Sequence, residues 1–358
     1  MSLAPGPKQP QDIDSFLAPF HDELLLLGKG VVAYDAFAKE DFILKAYLFL
    51  VNGDTPGVSK MMRLSGHVAK LPCRACKIEG TTFTSTFKVR DKNGNEVMRN
   101  RTQYYYPLIA PQSRKVTFQQ FNLAFDEIQT LRRTPDNYEV DGEASQNDSK
   151  MSIHSGVKGI APLTRLPTIS FPHSIPFDVM HLIHLGFVRD LLNLISGQYF
   201  GEQSAYLNDH ESRMTTKDWI MLGEDMENAR VPVSWGRKPE NIQKYLKSAK
   251  AEELGNFAVY YMLPLVYGRV SDQTFRALRR FAYVLSVLTG YEIEFEQLDI
   301  LEQQLRLFLK WFYNTFYKYE NKRLPVLKYT VHALVHLIED VKNWGPSSYF
   351  WQYPQVPT

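Results

Sequence analysis

A chain of 358 residues with 44% apolar content is long enough for one large domain or two ordinary ones with a sizeable core. Its 41 basic and 39 acidic residues nearly cancel, so the average surface is no nucleic-acid-binding field, and any such activity must come from a local patch. No apolar run approaches the roughly eighteen residues of a membrane span, since even Phe42 to Val51 is interrupted by Lys45.

Residues Ser2 to Pro10 hold three prolines and a glycine and read as a loop. Asp12 and Asp14 follow, ahead of the apolar periodic stretch Phe16 to Leu27, which predicts a helix with Asp14 as its N-cap. Gly28 and Gly30 end that helix. Val31-Val32-Ala33 and then Phe42 to Val51 come next, the latter dense in aliphatic and aromatic side chains as a buried strand would be. Asn52-Gly53-Asp54-Thr55-Pro56 reads as a strand-to-helix turn, with Pro56 suited to a first helical turn. Asp54 thus stands at an exposed strand end, either as one carboxylate of a divalent-metal site or as the N-cap of the helix beginning at Thr55.

The only two cysteines are Cys73 and Cys76. With that spacing and no apolar leader at Met1, a reducing compartment is expected rather than a disulfide-stapled secreted domain. Cys73-x-x-Cys76 offers half of a tetrahedral zinc site, His67 a third ligand, and a His or Asp must supply the fourth, with His154, Asp178 and His181 as candidates. Inert thiols or a redox pair are the competing readings. A redox pair usually opens a helix after a strand, whereas Pro72 and Gly80 suggest a turn here.

Phe83 to Met98 alternates apolar and polar residues around Lys92-Asn93-Gly94-Asn95, which predicts a hairpin with a two-residue turn. Lys88, Arg90, Lys92, Arg99 and Arg101 lie along it, followed by Tyr104-Tyr105-Tyr106-Pro107. Basic residues interleaved with aromatics suit phosphate contact and base stacking; a solvated hairpin with a tyrosine edge packed on the core suits the pattern as well. A helix is expected from Phe118 to Leu131, a flexible polar loop from Arg132 to Lys150, and another helix from Phe177-Asp178-Val179-Met180-His181 through Ile195.

The second half reads as helical almost throughout. Leu301, Leu305, Leu309, Phe312 and Phe316 fall on one face, Thr274 to Leu288 is similarly patterned, and both are core stripes. His332 and His336 are one turn apart, a spacing that chelates a metal and equally suits two packed histidines on an apolar helix.

Taken in order, these segments resemble the transposases of CACTA-type (En/Spm) DNA transposons, particularly copies from mushroom-forming fungi. The matching pieces are Pro5-Gly6-Pro7-Lys8 with Asp14-Ser15-Phe16-Leu17, Gly53-Asp54-Thr55-Pro56, Gly66-His67 with Pro72-Cys73-Arg74-Ala75-Cys76, and Tyr105-Tyr106-Pro107-Leu108. Phe177-Asp178-Val179-Met180-His181, Lys328-Tyr329-Thr330-Val331-His332-Ala333-Leu334 and Trp344-Gly345-Pro346 continue the series.

The resemblance implies an α+β, mostly helical fold: a partial RNase H-like catalytic core over 1–72, a zinc knuckle and basic hairpin over 73–117, and a helix, flexible loop and Asp-x-x-His helix over 118–195. A helical insertion over 196–323 and a truncated return to the core over 324–358 would complete it. It further implies nuclear location, transposon-end DNA and full-length transposase subunits as partners, structural zinc, and Mg or Mn held by an Asp-Asp-Glu triad for strand cleavage and transfer.

On that pattern Asp54 matches the second aspartate and Asp178-x-x-His181 the family's Asp-x-x-His element. The first aspartate would lie upstream of the Pro-Gly-Pro-Lys connector. Neither expected glutamate position holds one: Leu185-Gly186 replaces a Glu-Asn, and Tyr353-Pro354-Gln355-Val356-Pro357 replaces Phe-Pro-x-Glu-Arg. Phe125 stands where the resemblance places a histidine. The expectation is therefore a truncated, catalytically inactive transposase copy, whose missing leading strands would leave a sheet edge and apolar surface exposed. The alternative is a retained DNA- or transposase-binding zinc module without enzymatic activity.

Overall fold

The computed structural model describes residues 12–353 apart from 93, 113, 115, 209–211 and 233–234. Helix α1 (Ile13–Lys29) is capped by Asp12, not by Asp14: Asp12 accepts from the N–H groups of Asp14 (3.1 Å) and Ser15 (3.3 Å). Asp14, one turn inside, instead pairs with Arg63 at 2.6 Å. Gly30, at φ +109°, ends the helix and returns its N–H to Leu26 O, a conformation that a side chain would strain.

Strands β1 (Val31–Asp35) and β2 (Glu40–Leu44) form an antiparallel pair, Val31 opposite Leu44 and Asp35 opposite Glu40. The apolar run from Phe42 is not one buried strand. It stays in the sheet only to Leu44, and Phe42, Ile43 and Leu44 are exposed together with Val32 and Tyr34. A two-stranded ribbon has no second layer to cover its faces. Leu48 and Val51, further along the run, leave the ribbon for the core. Helix α2 (Thr55–Met61) follows, with Pro56 in its first turn as expected.

The largest departure from the sequence reading lies between 132 and 150. The expected flexible loop is mostly helix α4 (Pro135–Asn147), capped by Thr134 in a reciprocal box with Asn137. It buries Tyr138, Gly142 and Ser145, a stripe at i, i+4 and i+7 made of small residues and a single aromatic. The Tyr138 hydroxyl donates to Met62 O (2.9 Å) and accepts from the Ala161 N–H (3.0 Å), and its ring lies 4.2 Å from that of Phe171. Val58, Met62, Leu64, Val157, Leu163 and Phe171 complete this core.

The chain divides into two units: the described residues of Met1–Lys77 with Arg132–Pro176, to which all of the above belongs, and those of Ile78–Leu131 with Phe177–Thr358. The second unit opens with the hairpin of β3 (Thr81–Arg90) and β4 (Glu96–Tyr105). The expected hairpin is present, but Asp91–Asn95, five residues and not two, connects its strands. The Asp91 N–H bonds to Asn95 O (2.9 Å), and Gly94 at φ +85° donates to Asp91 O (3.0 Å); Asn93 lies outside the described residues.

Helix α3 (Phe118–Thr130) is capped by Thr117 with Gln120. The helix expected after Phe177 begins π-wound over Met180–Val188 and continues as α5 (Arg189–Ile195). Helices α6 (Thr216–Asn228), α7 (Ala251–Asn256, extended by a π turn to Tyr261), α8 (Asp272–Leu288) and α9 (Gln297–Phe312) follow.

Leu301, Leu305, Leu309, Phe312 and Phe316 are all buried, as their spacing predicts. Phe308 of α9 stacks on Phe281 of α8 at 4.8 Å, and Phe187 meets both edge-on. Each such fully buried side chain contributes about 1.5–3 kcal/mol, so this aromatic cluster anchors the unit. Helix makes up 55% of the structure, and with two small antiparallel sheets the fold is α+β and mostly helical.

Candidate metal centre

The cysteine half of the centre is fixed by backbone and by one arginine. Cys73 and Cys76 are fully buried and form no disulfide. The Ala75 N–H lies 3.4 Å from Cys73 Sγ, so the turn directs a donor at the first sulfur. Arg133, itself 2% exposed, braces the knuckle: its Nε donates to Cys73 O and its Nη2 to Ser155 O, both at 2.8 Å. The Arg133 N–H also bonds to Ala75 O (3.0 Å), and Cys76 bridges Arg132. The stretch read from sequence as the start of a loop therefore carries the strap that holds both cysteines.

The histidine half lies where α10 (Tyr329–Ala333) passes through a tight turn, Leu334–His336, into α11 (Leu337–Trp344). His332 and His336 are each 1% exposed, and their Nε2 atoms approach to 3.3 Å. Phe177 stacks on the His336 ring at 5.8 Å and 9°, and the Tyr329 ring sits 6.4 Å from His332. Packing thus locks two imidazoles with their nitrogens converging, a form suited to joint ligation.

Cys73, Cys76, His332 and His336 are a buried group able to hold a metal ion. Two thiolates and two imidazoles are a zinc donor set, and four protein ligands with no open position mark a structural site. The group does not include His67, which is exposed in a turn, nor the exposed His154, nor Asp178 or His181. The signal for the histidines was their i, i+4 spacing, which core packing on an apolar helix explains equally well.

Asp178 is 2% exposed and fully engaged at the start of the π segment. Its Oδ1 accepts from the N–H groups of Gln352 (3.1 Å) and Met180 (3.3 Å), and its Oδ2 accepts from the His181 N–H (3.1 Å) and lies 2.5 Å from His181 Nδ1. His184, one turn on, has its Nδ1 2.5 Å from the Tyr353 hydroxyl and packs against Gly255, where a Cβ would stand 2.7 Å from that nitrogen. Burial pushes His184 down to about 4, the Asp178 charge offsetting only part of the effect.

Asp54 caps α2: its Oδ1 accepts from the Gly57 N–H at 2.7 Å. Among the described residues it stands in no group of metal-binding side chains. A single carboxylate with one oxygen so engaged does not fit Mg²⁺ or Mn²⁺, which need several oxygen ligands.

The basic residues of the hairpin are exposed on two faces. Lys88 stands opposite Met98 and Arg90 opposite Glu96, whereas Arg99 and Arg101 stand opposite Phe87 and Ser85 on the other side. Lys92 is in the connection, and Lys88 pairs with Glu96 at 3.2 Å.

Among known proteins, no curated sequence and no solved structure matches the chain. Residues 1–103, which span α1, the β1–β2 ribbon, α2, the cysteine knuckle and most of the β3–β4 hairpin, match the model of transposase family tnp2, which supports a transposase ancestry.

Proposed function

We propose that the chain derives from a cut-and-paste DNA transposase of the CACTA type, fungal subgroup, and that Cys73, Cys76, His332 and His336 hold one structural zinc ion. The buried group of two cysteines and two histidines carries the zinc reading, and the tnp2 match over residues 1–103 carries the ancestry. Zinc would supply no chemistry here beyond cross-linking four side chains from distant parts of the sequence.

The RNase H-like core, the helical insertion over 196–323 and nuclear location belong to the same reading. So does the absence of strand cleavage. Leu185 occupies a position where the family pattern places a glutamate, and a Cβ on the adjacent Gly186 would meet Thr330 Cγ2 at 2.9 Å. Asp54 and Asp178 engage their oxygens with backbone N–H groups. Such a protein acts by binding DNA, through hairpin residues such as Lys88, Arg90 and Arg101, or by binding a full-length transposase subunit.

Metal analysis of the purified chain tests the zinc reading. One zinc per chain is expected, lost in a Cys73→Ser/Cys76→Ser variant and in a His332→Ala/His336→Ala variant; a metal-free wild type that melts as it does with zinc would overturn it. Nicking of transposon-end DNA with Mg²⁺ or Mn²⁺ tests the catalytic reading. No cleavage is expected, and robust cleavage abolished in Asp54→Ala would refute it.

A further inference from the structure

Helix α8 presents one face to the core and a different chemistry outward. Ala277, Leu278, Phe281, Leu285 and Leu288 are buried. On the other side Arg276 and Arg279 are exposed, Arg280 is half-buried, and Tyr283, 40% exposed, lies one turn further on. The spacing of these four puts them on one stripe. No carboxylate among the described residues forms an ion pair with any of the three arginines. The helix itself holds only Asp272 as an acid, and that residue makes no ion pair with Arg276.

Like charges at i, i+3 and i, i+4 destabilise a helix, so this arrangement is not explained by the stability of α8. Arginines on the neighbouring elements of the unit do find acids, Arg306 pairing with Asp126 and Glu302 and Arg323 with Glu320, although others, such as Arg99 and Arg101 of the hairpin, stand without an ion pair among the described residues as these three do. We propose that the Arg276, Arg279, Arg280 and Tyr283 face of α8 binds the phosphate backbone of duplex DNA. The proposal rests on the DNA-binding reading above but places contact on a helix that the tnp2 match does not reach.

Guanidinium groups match phosphate oxygens in a bidentate fork, and a tyrosine hydroxyl adds a donor. Arg276 to Arg280 covers about 6 Å of helix axis, on the order of two phosphates along one strand. The apolar side of α8 is locked against Phe308 of α9 through Phe281, so the stripe is presented on a rigid support. Recognition would be of charge and shape, without base readout.

The test measures binding of the full chain to two 30-base-pair duplexes of unrelated sequence, by fluorescence anisotropy across a salt series. The Arg276→Gln/Arg279→Gln/Arg280→Gln variant is expected to bind both duplexes at least tenfold more weakly. The slope of log affinity against log salt should be shallower by about 1.8, the release expected for two phosphate contacts, and by about 2.7 at most, if each arginine engages its own phosphate. An all-lysine variant should keep most of the slope, and unchanged far-UV circular dichroism would show that the fold is retained.

A wild-type slope that survives in the glutamine variant but collapses in Lys88→Gln/Arg90→Gln/Arg101→Gln would overturn the α8 site and leave the DNA-binding reading standing. A wild type that binds neither duplex would refute both. Binding to polyglutamate as tight as to DNA, through the same three arginines, would replace the nucleic acid with an acidic protein partner.

Discussion

Replacing Arg133 by Met keeps much of the side-chain volume and removes the fork that braces the cysteine knuckle. Two hydrogen bonds from a charged donor are lost, to Cys73 O and Ser155 O, both at 2.8 Å and both buried. Each such bond contributes about 1.5–3 kcal/mol, and the orphaned carbonyls remain buried. Removing the charge from the interior recovers part of this. The net expectation is a loss on the order of 3 kcal/mol, read in urea as a lower midpoint at unchanged slope.

The same change should loosen the geometry of the first sulfur and lower zinc affinity about 10–100-fold in chelator competition, the usual effect of removing a group that orients a ligand. Arg133→Lys should not rescue either property, because an ammonium cannot span two carbonyls as a planar fork does. A Met variant with wild-type midpoint and wild-type chelator curve would refute the bracing role. A lowered midpoint with unchanged zinc affinity would confine Arg133 to the fold.

Tyr138→Phe keeps the ring against Phe171 but leaves the buried Ala161 N–H without its acceptor. A loss of about 1–3 kcal/mol in urea is expected, and a loss under a few tenths would contradict it. Asp54→Ala should lower stability by about 1 kcal/mol and Asp54→Asn by little, since asparagine still caps the Gly57 N–H; equal losses in both would argue that the charge, not the cap, matters.

His184, held neutral by burial with its folded value near 4 against an ordinary 6.5, contributes stability above pH 6.5 that is lost as the pH falls toward 4. Over that window the wild type should lose roughly 3 kcal/mol more than His184→Gln. Parallel stability curves for the two proteins would exclude His184 as the source.

What could be read from sequence and what could not follow from the same physics. Leu301, Leu305, Leu309 and Phe312 announce a buried helix face because their size and period leave few alternatives. The β3–β4 hairpin was equally legible from alternation, though not its five-residue connection. Helix α4 leaves no apolar period in the sequence because Gly142 and Ser145 bury without being apolar; Gly142 is buried because α4 closes on Ile160, where a Cβ would come within 2.8 Å of the Ile160 side chain. The run from Phe42 misled in the opposite direction, since apolar density reports what a strand can bury but not whether a second layer exists to bury it.

The candidate site shows the same division. Cys73-x-x-Cys76 advertised itself, but its partners did not, because two histidines at i, i+4 on an apolar helix look alike whether they bind metal or pack. Asp54 is the sharper case. Capping and metal binding draw on the same carboxylate lone pairs, so the residue type and its place before Thr55 fit both roles. The 2.7 Å bond from the Gly57 N–H commits one oxygen to α2. A divalent ion at Asp54 needs further carboxylates beside it, and among the described residues none is grouped with it. The aspartate that first suggests an active site therefore has its firmest role in starting a helix.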